Sequence, residues 1–423
     1  MNVLVLGSGG REHALTWAIS KSAHIDELFV APGNGGTAGI ATNVPLNAED
    51  AEAVLGFVKD QNIELVVIGP EAPLVVGVAD VLRAAGVAVF GPDAQGAQLE
   101  GSKSFSKQFM MAHGLPTAAY KKCTSEAEAM EYLHEVGAPI VVKADGLAAG
   151  KGVIVADCME DAEEAVRDCF SGSFGEAGSV VVIEEMMTGP ECSMLAFLAN
   201  GKCLCMPCAQ DHKRAYDGDR GPNTGGMGVY SPVPCVDAEL EARMQEIMTA
   251  AAAATAEDFE NAYQGVLYGG FMLTPEGPKL LEFNARFGDP ETQVIMPRME
   301  SDAIEVFKAV ADNNIENLDL RWDNKCVVSV VLASEGYPGA YEKGKVILGI
   351  EEAEALENVI VFHAGTKFNA DGEIVTNGGR VLNVVASADT FADARELAYE
   401  ACDKINFEGK QYRRDIAMRA LEA

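Results

Sequence analysis

The chain has 423 residues, 48% of them hydrophobic, with 64 acidic against 32 basic side chains and a formal net charge of −32. That length supports two to four domains rather than one, and the negative surplus disfavours nucleic acid and anionic membranes as partners. Any phosphorylated substrate must be drawn in by local Lys, Arg and glycine-rich loops. Ten cysteines are scattered without a secretory pattern. Residues 1–7 read as a first core strand rather than a leader, and no uncharged run is long enough to span a bilayer, so free thiols and a cytoplasmic location are expected.

Residues 1–100 alternate short apolar strands (3–6, 28–31, 65–69, 87–90) with helices (11–20, 74–85), the layout of a doubly wound parallel α/β domain. Ligand sites in that layout lie at the carboxyl ends of strands. Three loops fall there, beginning at Gly7, Pro32 and Gly69. The first, Gly7-Ser-Gly-Gly-Arg-Glu-His13, lacks the third glycine of a dinucleotide fingerprint, because Glu12 stands in its place. A turn of Gly9, Gly10 and Arg11 opening a helix still suits a sugar phosphate. A tight turn that needs glycine for backbone reasons alone stays open as the alternative.

From residue 104 the pattern changes. A helix at 104–113 precedes a strand at 139–144, a glycine loop at 146–152 and a strand at 153–156. The loop carries Lys151 but is no Walker A loop, since its spacing is short and a strand follows. It suits a lid closing over phosphates. Lys143 lies in the preceding apolar strand and requires an anionic partner. Glu184 and Glu185 end a strand at 180–184 and could accept from an adenine amino group and ribose hydroxyls, or be plain surface acids. Cys203, Cys205 and Cys208 with His212 could hold zinc, although the alternation around 203–206 reads equally as a strand of small buried thiols. Residues 210–228 read as a long, polar, glycine-rich loop of the kind that carries function.

Residues 268–273 and 279–284 form a hairpin that runs into Leu-Leu-Glu-Phe-Asn-Ala-Arg-Phe-Gly-Asp-Pro-Glu-Thr-Gln at 280–293. A period of two places Leu281, Phe283 and Ala285 on one face and Glu282, Asn284 and Arg286 on the other. A carboxylate, an amide oxygen and a guanidinium in a row are costly to bury unpaired. Glu282 and Asn284 offer hard oxygen ligands for Mg²⁺, and Arg286 answers a phosphate. After residue 325, strands at 327–332, 359–363 and 378–385 with a helix at 390–405 describe a small α+β domain.

Several motifs then resemble one family: residues 142–153, Gln210-Asp-His-Lys-Arg214, Gly221-Pro-Asn-Thr-Gly-Gly-Met-Gly228 and the stretch at 281–293, supported by 7–14, Glu100-Gly-Ser-Lys103 and 361–366. The chain resembles the phosphoribosylamine–glycine ligases (glycinamide ribonucleotide synthetases) of the ATP-grasp superfamily over essentially its whole length. The resemblance implies an α/β and α+β multidomain fold. Its parts are an α/β substrate domain at 1–103, an ATP-grasp domain at 104–324 with a lid at about 118–188, and a C-terminal domain at 325–423. It also implies ATP-dependent joining of glycine to 5-phosphoribosylamine through glycyl phosphate, in purine biosynthesis, with Mg²⁺ or Mn²⁺.

By position, Lys103, Lys143 and Lys151 are expected at the phosphates. Glu184, Glu185 and Met186 fall at the adenine edge, Glu191 at the ribose, and Asn223 near the nucleotide. Glu282 and Asn284 are the expected metal ligands, although no acid stands on the preceding strand at 270–273 to complete a second metal. Arg286, Lys143 and Asp211 are the expected catalytic groups. Gly9, Gly10, Arg11, Glu12, Asn34, Asp211, Lys213, Asn223, Thr224, Gly225, Gly226, Arg286 and Asp289 are the expected substrate contacts. A monomer is expected, in transient contact with the enzyme that makes phosphoribosylamine. Rival readings are another ATP-grasp ligase or carboxylase, an NAD-dependent oxidoreductase and a non-catalytic nucleotide sensor.

Overall fold

The computed structural model describes residues 1–146, 152–173 and 175–422. Lys151 and most of the glycine loop at 146–152 therefore lie outside the described residues.

The first domain is a five-stranded sheet of β1 (Asn2–Gly7), β2 (Glu27–Pro32), β3 (Thr42–Asn43), β4 (Leu65–Ile68) and β5 (Ala88–Phe90). Its order is β3-β2-β1-β4-β5 and every pairing is parallel. Continuous runs such as Val3–Leu6 are buried on both faces, as a parallel sheet covered by helices requires. The helix Gly10–Ser20 leaves the carboxyl end of β1. The single helix expected at 74–85 is two, Glu71–Val75 and Val78–Ala84, because Gly77 takes φ +82° between them.

The second unit is a small sheet of β6 (Tyr120–Cys123), β7 (Ile140–Ala144), β8 (Val153–Ala156) and β9 (Val181–Glu185), in the order β6-β9-β7-β8 and antiparallel throughout. It stands over a larger sheet formed by β10 (Glu191–Ala199), β11 (Lys202–Cys205) and two strands further along the chain. The stretch expected as a long loop is instead partly strand. It contains β12 (Gln210–Asp211), β13 (Arg214–Tyr216), β14 (Arg220–Asn223) and β15 (Gly228–Ser231). β13 and β14 pair as a short hairpin. The helix Ala238–Asp258 covers the larger sheet, which β16 (Gly265–Thr274) and β17 (Gly277–Asn284) complete in the order β11-β10-β16-β17.

The third sheet runs β12-β15-β18-β22-β19, with β18 (Cys326–Ser334), β19 (Val359–His363) and β22 (Arg380–Ala388). Between the last two lies a separate hairpin of β20 (Thr366–Phe368) and β21 (Ile374–Thr376), and β23 (Lys410–Gln411) adds to β18. One core cluster holds residues of β1, β10, β18 and β22 together with Phe90, Phe197, Phe287 and Phe307, so the first sheet, the larger sheet and the third sheet share apolar interior, while the small sheet packs its own. No helix among the described residues is long and apolar enough to cross a membrane.

Candidate active site

β16 and β17 pair in register from Tyr268↔Asn284 to Gly270↔Glu282, then slip by one so that Phe271 faces Leu280. Leu281 is the extra residue. Strict alternation fails there: Leu280 and Phe283 enter the core, while Leu281 is only half-buried beside Glu282. The expectation that Leu281 shares Phe283's face is corrected by this bulge. The carbonyl of Leu280 accepts from Thr117 Oγ1 at 2.7 Å, and that of Leu281 from Lys143 Nζ at 3.5 Å. The bulge therefore aims two successive carbonyls at the small sheet's side of the molecule.

Lys143, on β7, is buried and does have its anion. Its Nζ donates to Glu184 Oε2 at 2.9 Å, and Lys107 Nζ reaches the same oxygen at 2.9 Å. Glu184 Oε1 is buried with no partner among the described residues. Its neighbour Glu185 points outward and is exposed, and Met186 is half-buried. Lys103 donates to the carbonyl of Gly146 at 3.0 Å, from a helix (Lys103–Ala112) that Ser102 caps.

These cations face Glu282. Burial works against its charge, yet Lys213, Lys143 and Lys103 together hold its carboxyl below the usual range. No ion pair within 4 Å engages Glu282 among the described residues, so the three lysines approach it without closing on it. Burial lowers the pKa of Lys103 despite Glu282, while burial of Lys213 is overcome by Asp211 and Glu191, which hold it well above its usual value. Lys213 is ion-paired with Glu191. The Asp211 carboxyl rises to about 7, first through burial and then through Glu291 and Glu191, with Lys213 opposing.

Arg286 lies just past the end of β17. Its Nη2 donates to Glu100 Oε1 at 2.6 Å and to Asn284 Oδ1 at 3.3 Å, and its Nε lies 3.4 Å from Glu71 Oε2. Burial disfavours its charge, but Glu100 and Glu71 keep its pKa raised. Beside it, Glu291 is buried and accepts from Tyr268 at 3.1 Å and Ser193 at 3.4 Å.

The turn expected as a phosphate pocket makes contacts within the protein. Gly9 N–H donates to Glu12 Oε2 at 2.5 Å, and Arg11 N–H to Asp289 Oδ2 at 3.3 Å. The Arg11 guanidinium donates to Glu12 at 2.6 Å and to the Phe287 carbonyl at 2.8 Å. The Glu12 side chain occupies the space where a Cβ at Gly7 or Gly69 would sit, wedged between the ends of β1 and β4. Asn34 is equally committed, donating to the carbonyls of Ser8 and His363 at 2.9 Å and accepting from Gly36 and Thr37. His13 Nδ1 accepts from His363 N–H at 2.7 Å. Burial lowers these two imidazoles to about 3 and about 4, so both are neutral struts.

Asp289 also accepts from Gln293 at 2.9 Å and lies 3.3 Å from Arg380. Arg380 Nη1 donates in turn to the carbonyls of Gly225 at 2.6 Å and Asp289 at 2.8 Å. Thr224 folds back on the Lys213 carbonyl through its N–H at 2.7 Å and its hydroxyl at 2.8 Å, and Asn223 stays exposed on β14. The thiols do not gather around His212. Cys203 and Cys205 sit side by side on β11, Cys208 adjoins Cys192, and no group of three metal-binding side chains occurs among the described residues.

Sequence reasoning gave no role to Lys107, Glu71, Glu100, Glu291, Tyr337 or Arg380, although Glu100 and Glu291 stand in motifs it used. Lys107 was findable, since it stands one helical turn after Lys103 on the same face. Glu291 belongs to the same Gly-Asp-Pro-Glu turn as Asp289. Arg380 and Tyr337 come from the C-terminal domain and carried no local signal.

A small antiparallel sheet standing over a larger one, with lysines from both sides converging on a carboxylate–amide pair, defines an ATP-grasp enzyme. Residues 1–100, 101–292 and 327–419 match the family models described as the N domain, the ATP-grasp (A) domain and the C domain of phosphoribosylglycinamide synthetase. The chain belongs to the phosphoribosylglycinamide synthetase family. A curated relative from Vibrio vulnificus, named phosphoribosylamine–glycine ligase, is 50% identical over 426 residues, covering 100% of this chain and 99% of the relative. The crystal structure of phosphoribosylamine–glycine ligase from Thermotoga maritima superposes with a TM-score of 0.86 at 36% identity, covering 98% of this chain and all of that one. A biotin carboxylase from Campylobacter jejuni, at 15% identity and a TM-score of 0.77 over 100% of this chain and 95% of its own, shares the fold.

Proposed function

We propose that this chain joins glycine to 5-phospho-β-D-ribosylamine with ATP, giving glycinamide ribonucleotide, ADP and phosphate, as a step of purine biosynthesis in the cytoplasm. The observation that carries the reading is the approach of Lys103, Lys143 and Lys213 to Glu282 without a closing ion pair. Lys143 shares Glu184 with Lys107 and Lys213 is paired with Glu191, so the cation left to meet a triphosphate tail is Lys103, which no carboxylate engages within 4 Å among the described residues. Glu282 and Asn284 fit a hard divalent ion, because they offer two oxygens with no third acid or histidine grouped beside them among the described residues, and such an ion takes its remaining ligands from phosphates and water. Mg²⁺ or Mn²⁺ held there would neutralise phosphate charge.

An amide cannot form from a carboxylate and an amine without activation. In this reading the glycine carboxylate attacks the γ-phosphorus, ADP leaves, and the phosphoribosylamine nitrogen displaces phosphate from glycyl phosphate. The chain contributes positioning and charge. Lys103 and Lys143 hold the phosphates, and Glu184 Oε1, without a partner among the described residues, accepts from the adenine amino group. Arg286, fixed by Glu100 and Glu71, meets the transferring phosphoryl. Asp211, poised near neutrality, faces the amine and takes its proton. The loop at 146–152 excludes water from the acyl phosphate, and direct hand-over of unstable phosphoribosylamine from the enzyme that makes it belongs to the same reading. The test is phosphate release from ATP with each substrate omitted in turn. Release that requires both glycine and phosphoribosylamine is expected. Release at the same rate from ATP alone refutes the reading.

A further inference from the structure

Both backbone polar groups of Gly225 are held by the C-terminal domain. Its N–H donates to the Tyr337 hydroxyl at 3.1 Å, and its carbonyl accepts from Arg380 Nη1 at 2.6 Å. The fit is close on every side. A Cβ at Gly225 would lie 3.1 Å from the Arg380 guanidinium carbon, one at Gly226 would press on Pro290, and one at Gly379 would collide with the Tyr337 ring. Glycine at these three positions is what lets the ring and the guanidinium reach the loop. The grip is passed on, because Thr224 is tied to the Lys213 carbonyl by two hydrogen bonds and Lys213 stands among Asp211, Glu191 and Glu282. On its other side Arg380 holds Asp289, which caps the turn at Arg11. None of these links touches Lys103 or Lys143.

We infer that Tyr337 is a positioning residue for the acceptor substrate. Through the Gly225 N–H its hydroxyl sets the Asn223–Gly226 loop, with no direct link to Lys103 or Lys143. This rests on the proposed ligase reading, in which that loop faces the acceptor.

The test is Tyr337→Phe in the full chain, which removes one oxygen and keeps the ring that packs on Gly379. Steady-state phosphate release is measured with each substrate varied. The expected result is an apparent KM for phosphoribosylamine about tenfold higher, a KM for ATP within twofold of the parent, and an unchanged Tm. Unchanged KM values overturn the inference. So does a uniform loss across all substrates with a lowered Tm, since that marks a merely structural role. The parent chain separates the two ideas. If it shows no glycine- and phosphoribosylamine-dependent release, the ligase reading has failed. Amide exchange at Gly225 then decides the grip: faster exchange confined to this loop in Tyr337→Phe upholds it, and identical exchange overturns it.

Discussion

The turn at residues 9–12 and the strand end at 282–286 both carry charged motifs that read as anion sites, but the structure treats them in opposite ways. At the turn the Gly9 and Arg11 N–H groups go to Glu12 and Asp289, and the Arg11 guanidinium to Glu12 and Phe287. At the strand end, three lysines approach Glu282 and none closes on it. The difference lies in where the counter-charge comes from. Glu12 is three residues from Gly9 and reaches it within one helical turn. The lysines around Glu282 come from three separate segments, and no ion pair within 4 Å engages Glu282 among the described residues. A charged motif states a chemistry, and the distance to its nearest internal partner states whether that chemistry is free for a ligand.

Four experiments break or sharpen this contrast. The largest effect is expected from Glu282→Gln, which keeps the shape and removes the charge. kcat/KM should fall about 10³-fold, ~4 kcal/mol, with little change in Tm, as read by phosphate release and thermal melting. A loss under tenfold would place the reacting phosphates elsewhere. Next, Glu100→Ala leaves the guanidinium of Arg286 short of its 2.6 Å partner. A cost of about 3 kcal/mol in urea unfolding is expected from breaking a buried pair.

The third experiment tests the closed region by pH. The folded chain holds His13 and His363 neutral down to about 3 and about 4, against 6.5 when unfolded. Between those values the unfolded chain binds protons that the folded chain refuses, so stability falls as pH drops below 6.5. At pH 5 the loss is ~2 kcal/mol for each histidine, and His13→Gln should flatten that slope in chemical denaturation. The smallest effect concerns Asp211. With a folded pKa of about 7, its basic form is lost as pH falls through neutrality. kcat/KM should therefore drop toward tenfold per unit below 7, ~1.4 kcal/mol, and Asp211→Asn should abolish that inflection.

Much of the architecture was legible because its signals are local. The parallel strands are continuous apolar runs, and β16 and β17 flank a Thr-Pro-Glu-Gly-Pro turn. What escaped depended on partners far along the chain. Residues 210–228 looked like loop because β15 finds its neighbour, β18, about a hundred residues later. The bulge at Leu281 answers Thr117 and Lys143 rather than any feature of its own strand. Glu282, Asn284, Lys143 and Lys103 declared themselves by charge in apolar or glycine-rich surroundings. Glu71 and Arg380 are ordinary charged residues until the fold brings them to Arg286 and Asp289.

The seat of β15 has a practical consequence. Gly228–Ser231 lies between β12 and β18, so a strand from the middle of the chain completes the sheet of the last domain. A gene fragment starting near residue 325 would begin with β18 stripped of its neighbour, offering a long row of bare amides and carbonyls to any passing strand. Such a fragment should clump when expressed alone and recover solubility when residues 210–231 are fused ahead of it through a linker.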